Sequence, residues 1–178
     1  TKYPEGTVER VYRKIKSGKE NIVLTGMPGS GKSTVGKLLS EKLSRPYLGV
    51  DTPTTEKTAN TPAELISAEG EKAFRDVESE MIRSIALETG AIIATGGGAV
   101  LREENCNALR MNGNIFFLDR PVEQLLPTKD RPLSSTKEAI LQRYHERYDL
   151  YVSTADVVID NAVSAEEAAQ QVERNFLP

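Results

Sequence analysis

The sequence predicts one α/β domain in three layers, α/β/α, built on a five-stranded parallel sheet. Three observations predict it. Apolar runs of strand length alternate with helix-like segments along the 178 residues. Such alternation favours a parallel sheet with helices on both faces. The composition, 38% hydrophobic and 28% charged, is that of one ordinary domain with enough apolar side chains for a core.

Each element follows from local pattern. Residues 1–5 are set aside. Val8, Val11, Tyr12 and Ile15 fall at helical spacing over residues 7–17, which predicts a short amphipathic helix stopped by Gly18. NIVLTG is an apolar run ending at a glycine. The helix after the glycine loop carries Val35, Leu38, Leu39 and Leu43 on one face. YLGV, residues 47–50, is the second strand and runs into Asp51. Thr61, Pro62 and Glu64 form a capping-box start with proline at the first helical position. Phe74, Val77, Met81, Ile82 and Ile85 place a helix over residues 71–89, ended by Gly90. AIIAT, NIFFL and ADVVI are the remaining strands, and residues 127–136, PTKDRPLSST, read as a mobile surface loop.

Composition excludes several function classes. Twenty-three Lys and Arg against 26 Asp and Glu give a net charge of −3, so nucleic acid is not an expected partner. No run approaches the roughly 18–20 consecutive apolar residues of a membrane span, and the N-terminal residues lack the apolar stretch of a secretory signal, so a cytoplasmic location is expected. One cysteine, Cys106, and one histidine, His145, leave no internal disulfide and no zinc site. Both are expected at the surface or in packing.

Gly26, Met27, Pro28, Gly29, Ser30, Gly31, Lys32 and Ser33 match G-x-x-x-x-G-K-[ST] between an apolar strand and a helix start, with Thr34 next. Glycines let successive N–H groups curl inward around phosphate oxygens, and the helix N-terminus adds partial positive charge. Lys32 is expected to reach the β- and γ-phosphates of a bound nucleotide. The Ser33 hydroxyl is expected to ligate the Mg²⁺ that bridges them. The acceptor has to be sought beyond the other strand ends. Asp51 follows the second strand, Gly96, Gly97 and Gly98 follow the third, Arg75 lies early in the long helix, and Arg147 lies in RYDLY. Taken singly, Asp51 fits a helix cap, the glycines a tight turn and the arginines a solvated surface.

Taken together, GMPGSGKST, Asp51, GEKAFRDVE, ATGGGAV, RPL and RYDLY, in that order, resemble the shikimate kinase family from about Asn21 to the C-terminus. The resemblance implies a nucleoside-monophosphate-kinase-like P-loop fold with a mobile lid. It implies transfer of the ATP γ-phosphoryl group to the 3-hydroxyl of shikimate, a step toward chorismate and the aromatic amino acids. It assigns Asp51 to the shikimate hydroxyls and to catalysis. Arg75 and Arg147 are assigned to the substrate carboxylate, Gly96, Gly97 and Gly98 to the floor of the acceptor site, and Arg131 to the transferring phosphoryl group. It implies a monomer whose small-molecule partners are ATP and shikimate. Residues 1–20 then form a helical N-terminal extension, a packing helix or the tail of a linker, and residues 21–178 the kinase domain, with the lid at about 120–137.

Two departures from the family pattern stand out. The family usually places a further aspartate two residues before Asp51, where this chain has Gly49, so Mg²⁺ is expected to rest on Ser33, ATP and water. The stretch before RPL lacks the arginine that stacks on adenine in many members, with Lys129 the nearby cation, so weaker base discrimination is expected. The competing readings are another small-molecule P-loop kinase, acting on gluconate or a nucleotide, and a nucleotide-binding module whose kinase activity Gly49 has weakened.

Overall fold

The computed structural model describes residues 4, 6–50, 62–125 and 136–177, with backbone only for 62–69. Its elements run α1 (Thr7–Lys19), β1 (Asn21–Thr25), α2 (Lys32–Leu43), β2 (Tyr47–Gly49), α3 (Pro62–Ile85), β3 (Ile92–Ala94), α4 (Glu103–Met111), β4 (Gly113–Asp119), α5 (Lys137–Thr154), β5 (Val157–Asp160) and α6 (Ala165–Phe176). Short 3₁₀ turns at Ala99–Leu101 and Val122–Gln124 follow β3 and β4.

The five strands are parallel in the order β2-β3-β1-β4-β5. β1 lies at the centre and all five of its residues are buried, which is why NIVLT carries no exposed polar position. Alternation along the strands makes the two faces. Ile22, Leu24, Ile92, Phe116 and Leu118 point one way and pack with Val35 and Leu39 of α2 and Ala168, Ala169 and Val172 of α6. Val23, Ile93 and Ile115 point the other way, onto Met81 and Ile82 of α3 and Leu109 of α4. A third cluster joins Met27 to Phe117, Cys106, Ile140 and Tyr151, and so anchors the glycine loop in the core.

Several boundaries differ from the sequence expectation, and side chains from elsewhere explain them. α1 runs through Gly18 to Lys19, because its terminal carbonyls are taken from outside: Arg45 donates to Ser17 O and to Glu20 O, and Gly90 N donates to Lys19 O at 2.7 Å. α3 stops at Ile85 rather than at Thr89. There the Asn112 amide holds Ala86 O at 3.0 Å and the Asn21 amide holds Glu88 O at 2.7 Å. Inside α3, Gly70 adopts φ 87° and ψ 167°, a break that divides the helix ahead of Arg75. β2 ends at Gly49, with Val50 N still bonded to Ala94 O at 3.0 Å.

Candidate active site

The loop from Gly26 to Gly31 turns the chain from β1 into α2 with three glycines at positive φ: Gly26 at 147°, Gly29 at 83° and Gly31 at 87°. Gly26 also has no room for a side chain, since a Cβ there would stand 2.8 Å from Ser30 Oγ and 2.9 Å from Leu118 O. Met27 is buried and pins the loop, while Gly29 is exposed. Lys32 is 7% exposed, and its Nζ donates to Gly26 O at 2.9 Å and Met27 O at 2.8 Å. The ammonium is thus held across the mouth of the loop. Ser33 and Thr34 are exposed in the first turn of α2.

The glycine triplet forms the wall beside this loop. A Cβ on Gly97 would lie 2.6 Å from Pro28 Cδ and 3.1 Å from Pro28 N, and a Cβ on Gly98 would run into the Arg75 guanidinium. Neither glycine needs a left-handed φ; close approach is what excludes side chains at both. The Gly97 carbonyl accepts from Tyr151 Oη at 2.5 Å and from Arg147 Nη1 at 3.2 Å.

Arg75 and Arg147, which the sequence left open as surface cations, are 9% and 7% exposed. Arg75 Nη1 donates to Glu78 Oε2 at 2.6 Å, its Nη2 meets Glu71 Oε1 at 3.3 Å, and the guanidinium lies 5.1 Å from the centre of the Phe74 ring. The Nε groups of Arg75 and Arg147 are buried without a hydrogen-bond partner, an arrangement that an anionic ligand completes. Arg143 adds a third positive charge. Burial, and then the charge of Arg147, lower its pKa. Tyr151 stacks on Phe117 at 5.0 Å, and burial pushes its phenol up to about 12, so it remains a donor.

The structure therefore brings Gly26–Ser33, Gly96–Gly98, Arg75 and Arg147 to one end of the sheet, beyond the carboxyl ends of β1 and β3. Asp51 and Arg131 lie outside the described residues. Cys106 is buried in the third cluster, where burial raises its thiol pKa, and His145 is exposed against Tyr144. Three neighbours escaped the sequence reading. Glu71 and Glu78 stand four residues before and three after Arg75, and Tyr151 stands four after Arg147. Helical spacing alone puts each on the face of its arginine.

For Mg²⁺ the donor set is small. Among the described residues no group of three His, Cys, Asp or Glu gathers to hold a metal. An exposed Ser33 hydroxyl beside a phosphate loop suits an ion that keeps most of its waters and binds through nucleotide oxygens.

Comparison with known proteins agrees with this geometry. The shikimate kinase family profile matches residues 28–176. A shikimate kinase from Clostridium botulinum is 38% identical over 160 residues, covering 88% of this chain and 96% of that one. One from Clostridium beijerinckii is 44% identical over 147 residues, covering 80% and 86%. The solved structure of a shikimate kinase from Acinetobacter baumannii in complex with shikimate superposes with a TM-score of 0.86 at 31% identity, covering 93% of this chain and 97% of that one. A gluconokinase from Sinorhizobium meliloti, at 16% identity and a TM-score of 0.51, shares the fold alone. With its loop, its glycine triplet and its paired arginines in this arrangement, the chain belongs to the shikimate kinase family.

Proposed function

We infer that the chain transfers the γ-phosphoryl group of ATP to the 3-hydroxyl of shikimate, giving shikimate 3-phosphate and ADP. One observation carries this reading: the phosphate loop and the two-arginine pocket share a wall, Gly97 touching Pro28 and Gly98 touching Arg75. Donor and acceptor chemistry are therefore adjacent. The shikimate-bound relative supports the choice of acceptor.

In this reading the loop amides and Lys32 hold the β- and γ-phosphates. Lys32 Nζ leaves two loop carbonyls to do so. Arg75 and Arg147 take the acceptor carboxylate, with Glu71 and Glu78 fixing the orientation of Arg75. The glycine triplet floors the site, Asp51 holds the attacking hydroxyl and receives its proton, and Arg131 meets the transferring group. Mg²⁺, held by Ser33 and nucleotide oxygens, supplies charge neutralisation of the phosphates when bound. We further propose a monomer acting in the cytoplasm, with residues 1–20 as an extension to a kinase domain of residues 21–178 whose lid spans about 120–137. Among the described residues no helix is long and apolar enough to cross a membrane.

ADP release with ATP and Mg²⁺, with and without shikimate, tests the reading, with the product identified by mass. Shikimate-dependent release and a product heavier by one phosphoryl group are expected. Release that ignores shikimate but responds to gluconate or a nucleoside monophosphate would replace the acceptor. Nucleotide binding without turnover would favour the weakened module that Gly49 suggests.

A further inference from the structure

The residues just past β4 and β5 form a second approach to the phosphate loop. Asp119 and Asp160 are paired in the sheet register, so Arg120 and Asn161 leave the sheet side by side at its carboxyl edge. Both reach the start of α2. A Cβ on Gly31 would lie 3.6 Å from Asn161 Nδ2 and 3.9 Å from Arg120 Nη1. Asn161 is 2% exposed and its Nδ2 donates to Ser30 O at 2.5 Å, which fixes the loop carbonyl on that side.

Arg120 has no such satisfaction. Among the described residues it makes no hydrogen bond and no ion pair, although Asp119 precedes it and Asp160 lies alongside. Its Nε is buried without a partner. A cation brought close to the positive end of a helix is repelled by it unless an anion lies between them. Lys32 already stands at that end, so the arrangement is complete only with a multiply charged anion in the loop.

We propose that Arg120 is a ligand of the nucleotide phosphates, gripping the phosphate chain from the β4–β5 side while Asn161 holds Ser30 in place. The proposal rests on the reading of Gly26–Ser33 as the nucleotide site. It assigns the contact to phosphate rather than to the base, because the guanidinium faces Gly31. The charge-assisted bond makes binding depend on Arg120 whichever base the nucleotide carries.

Titration calorimetry of ATP, GTP and shikimate with the parent, Arg120→Met and Arg120→Gln tests it. Both variants are expected to weaken ATP and GTP by the same factor, about tenfold or more, with shikimate affinity unchanged as the control for folding. ATP affinity equal to the parent's in a variant that still binds shikimate overturns the proposal. A loss confined to ATP overturns it too, by making the contact one with the base. If Arg120→Met alone loses shikimate binding, Arg120→Gln decides between these outcomes. A parent that binds neither nucleotide removes the loop reading and this proposal together, whereas a parent that binds both removes this proposal alone if the variants match it.

Discussion

The ring of Pro28 lies against the backbone of Gly97 so closely that a Cβ on the glycine would stand 2.6 Å from Pro28 Cδ. A proline ring and a main chain are both stiff, so neither can yield to an added methyl group. Gly97→Ala is expected to displace the phosphate loop, raising KM for ATP and lowering kcat, and to destabilise the fold through overpacking by about 1–3 kcal/mol, seen as a lower Tm. Gly98→Ala meets the guanidinium of Arg75, which a Cβ there would push from its place between Glu71 and Glu78. It is expected to raise KM for shikimate chiefly. Steady-state kinetics of both variants in both substrates checks the division.

Lys32 and Arg75 are expected to fail in different parameters. Lys32→Met removes charge that matters most as the phosphoryl group moves, so kcat falls with a smaller change in KM for ATP. Arg75→Ala removes one half of the proposed carboxylate grip, about 1.5–3 kcal/mol, and is expected to raise KM for shikimate by about 10- to 150-fold. An unchanged shikimate KM in Arg75→Ala would place the acceptor elsewhere.

Gly49 ends β2 beside Ala94, at the position where the family pattern places an aspartate, and a carboxylate there is expected to join the magnesium shell. Gly49→Asp is expected to lower the Mg²⁺ concentration for half-maximal rate, and a titration identical to the parent's would show that Gly49 does not limit metal binding.

Asp119 gives the clearest pH effect. Burial raises its pKa, the hydrogen bond from Tyr148 Oη at 3.1 Å opposes that shift, and the charge of Asp160 adds to it. A folded-state pKa above the unfolded one means that ionising Asp119 costs stability as pH climbs through the folded value. Asp119→Asn is therefore expected to match the parent's Tm in acid, below the ordinary carboxyl pKa, and to melt higher once the pH exceeds the raised pKa of the folded state. Thermal melts across that range check the sign.

How much of this was legible in the chain depended on distance along it. The phosphate loop is contiguous, and its eight residues between a strand and a helix were sufficient. The alternation of apolar runs with helical segments was enough for a parallel sheet covered on both faces, but the strand order was not legible, because it is set by pairing between strands distant in sequence. The close packing of Pro28 on Gly97 was not legible, because it joins loops on β1 and β3 through tertiary contact. The end of α3 was missed for the same reason: the amides of Asn21 and Asn112, distant in sequence, capture its last carbonyls. Glu78 and Tyr151 were within reach of helical spacing. Arg120 was not, since only the sheet register carries it to Gly31.

The triplet wall also has a thermodynamic consequence. One backbone segment touches the nucleotide loop through Gly97 and the acceptor cations through Gly98 and the Gly97 carbonyl. Under the proposed function, a ligand that presses on this segment from one side acts on the site at its other side. Linkage then requires reciprocity: the factor by which bound nucleotide tightens shikimate is the factor by which bound shikimate tightens the nucleotide. The two substrates are expected to bind with positive cooperativity that Gly98→Ala weakens in both directions equally.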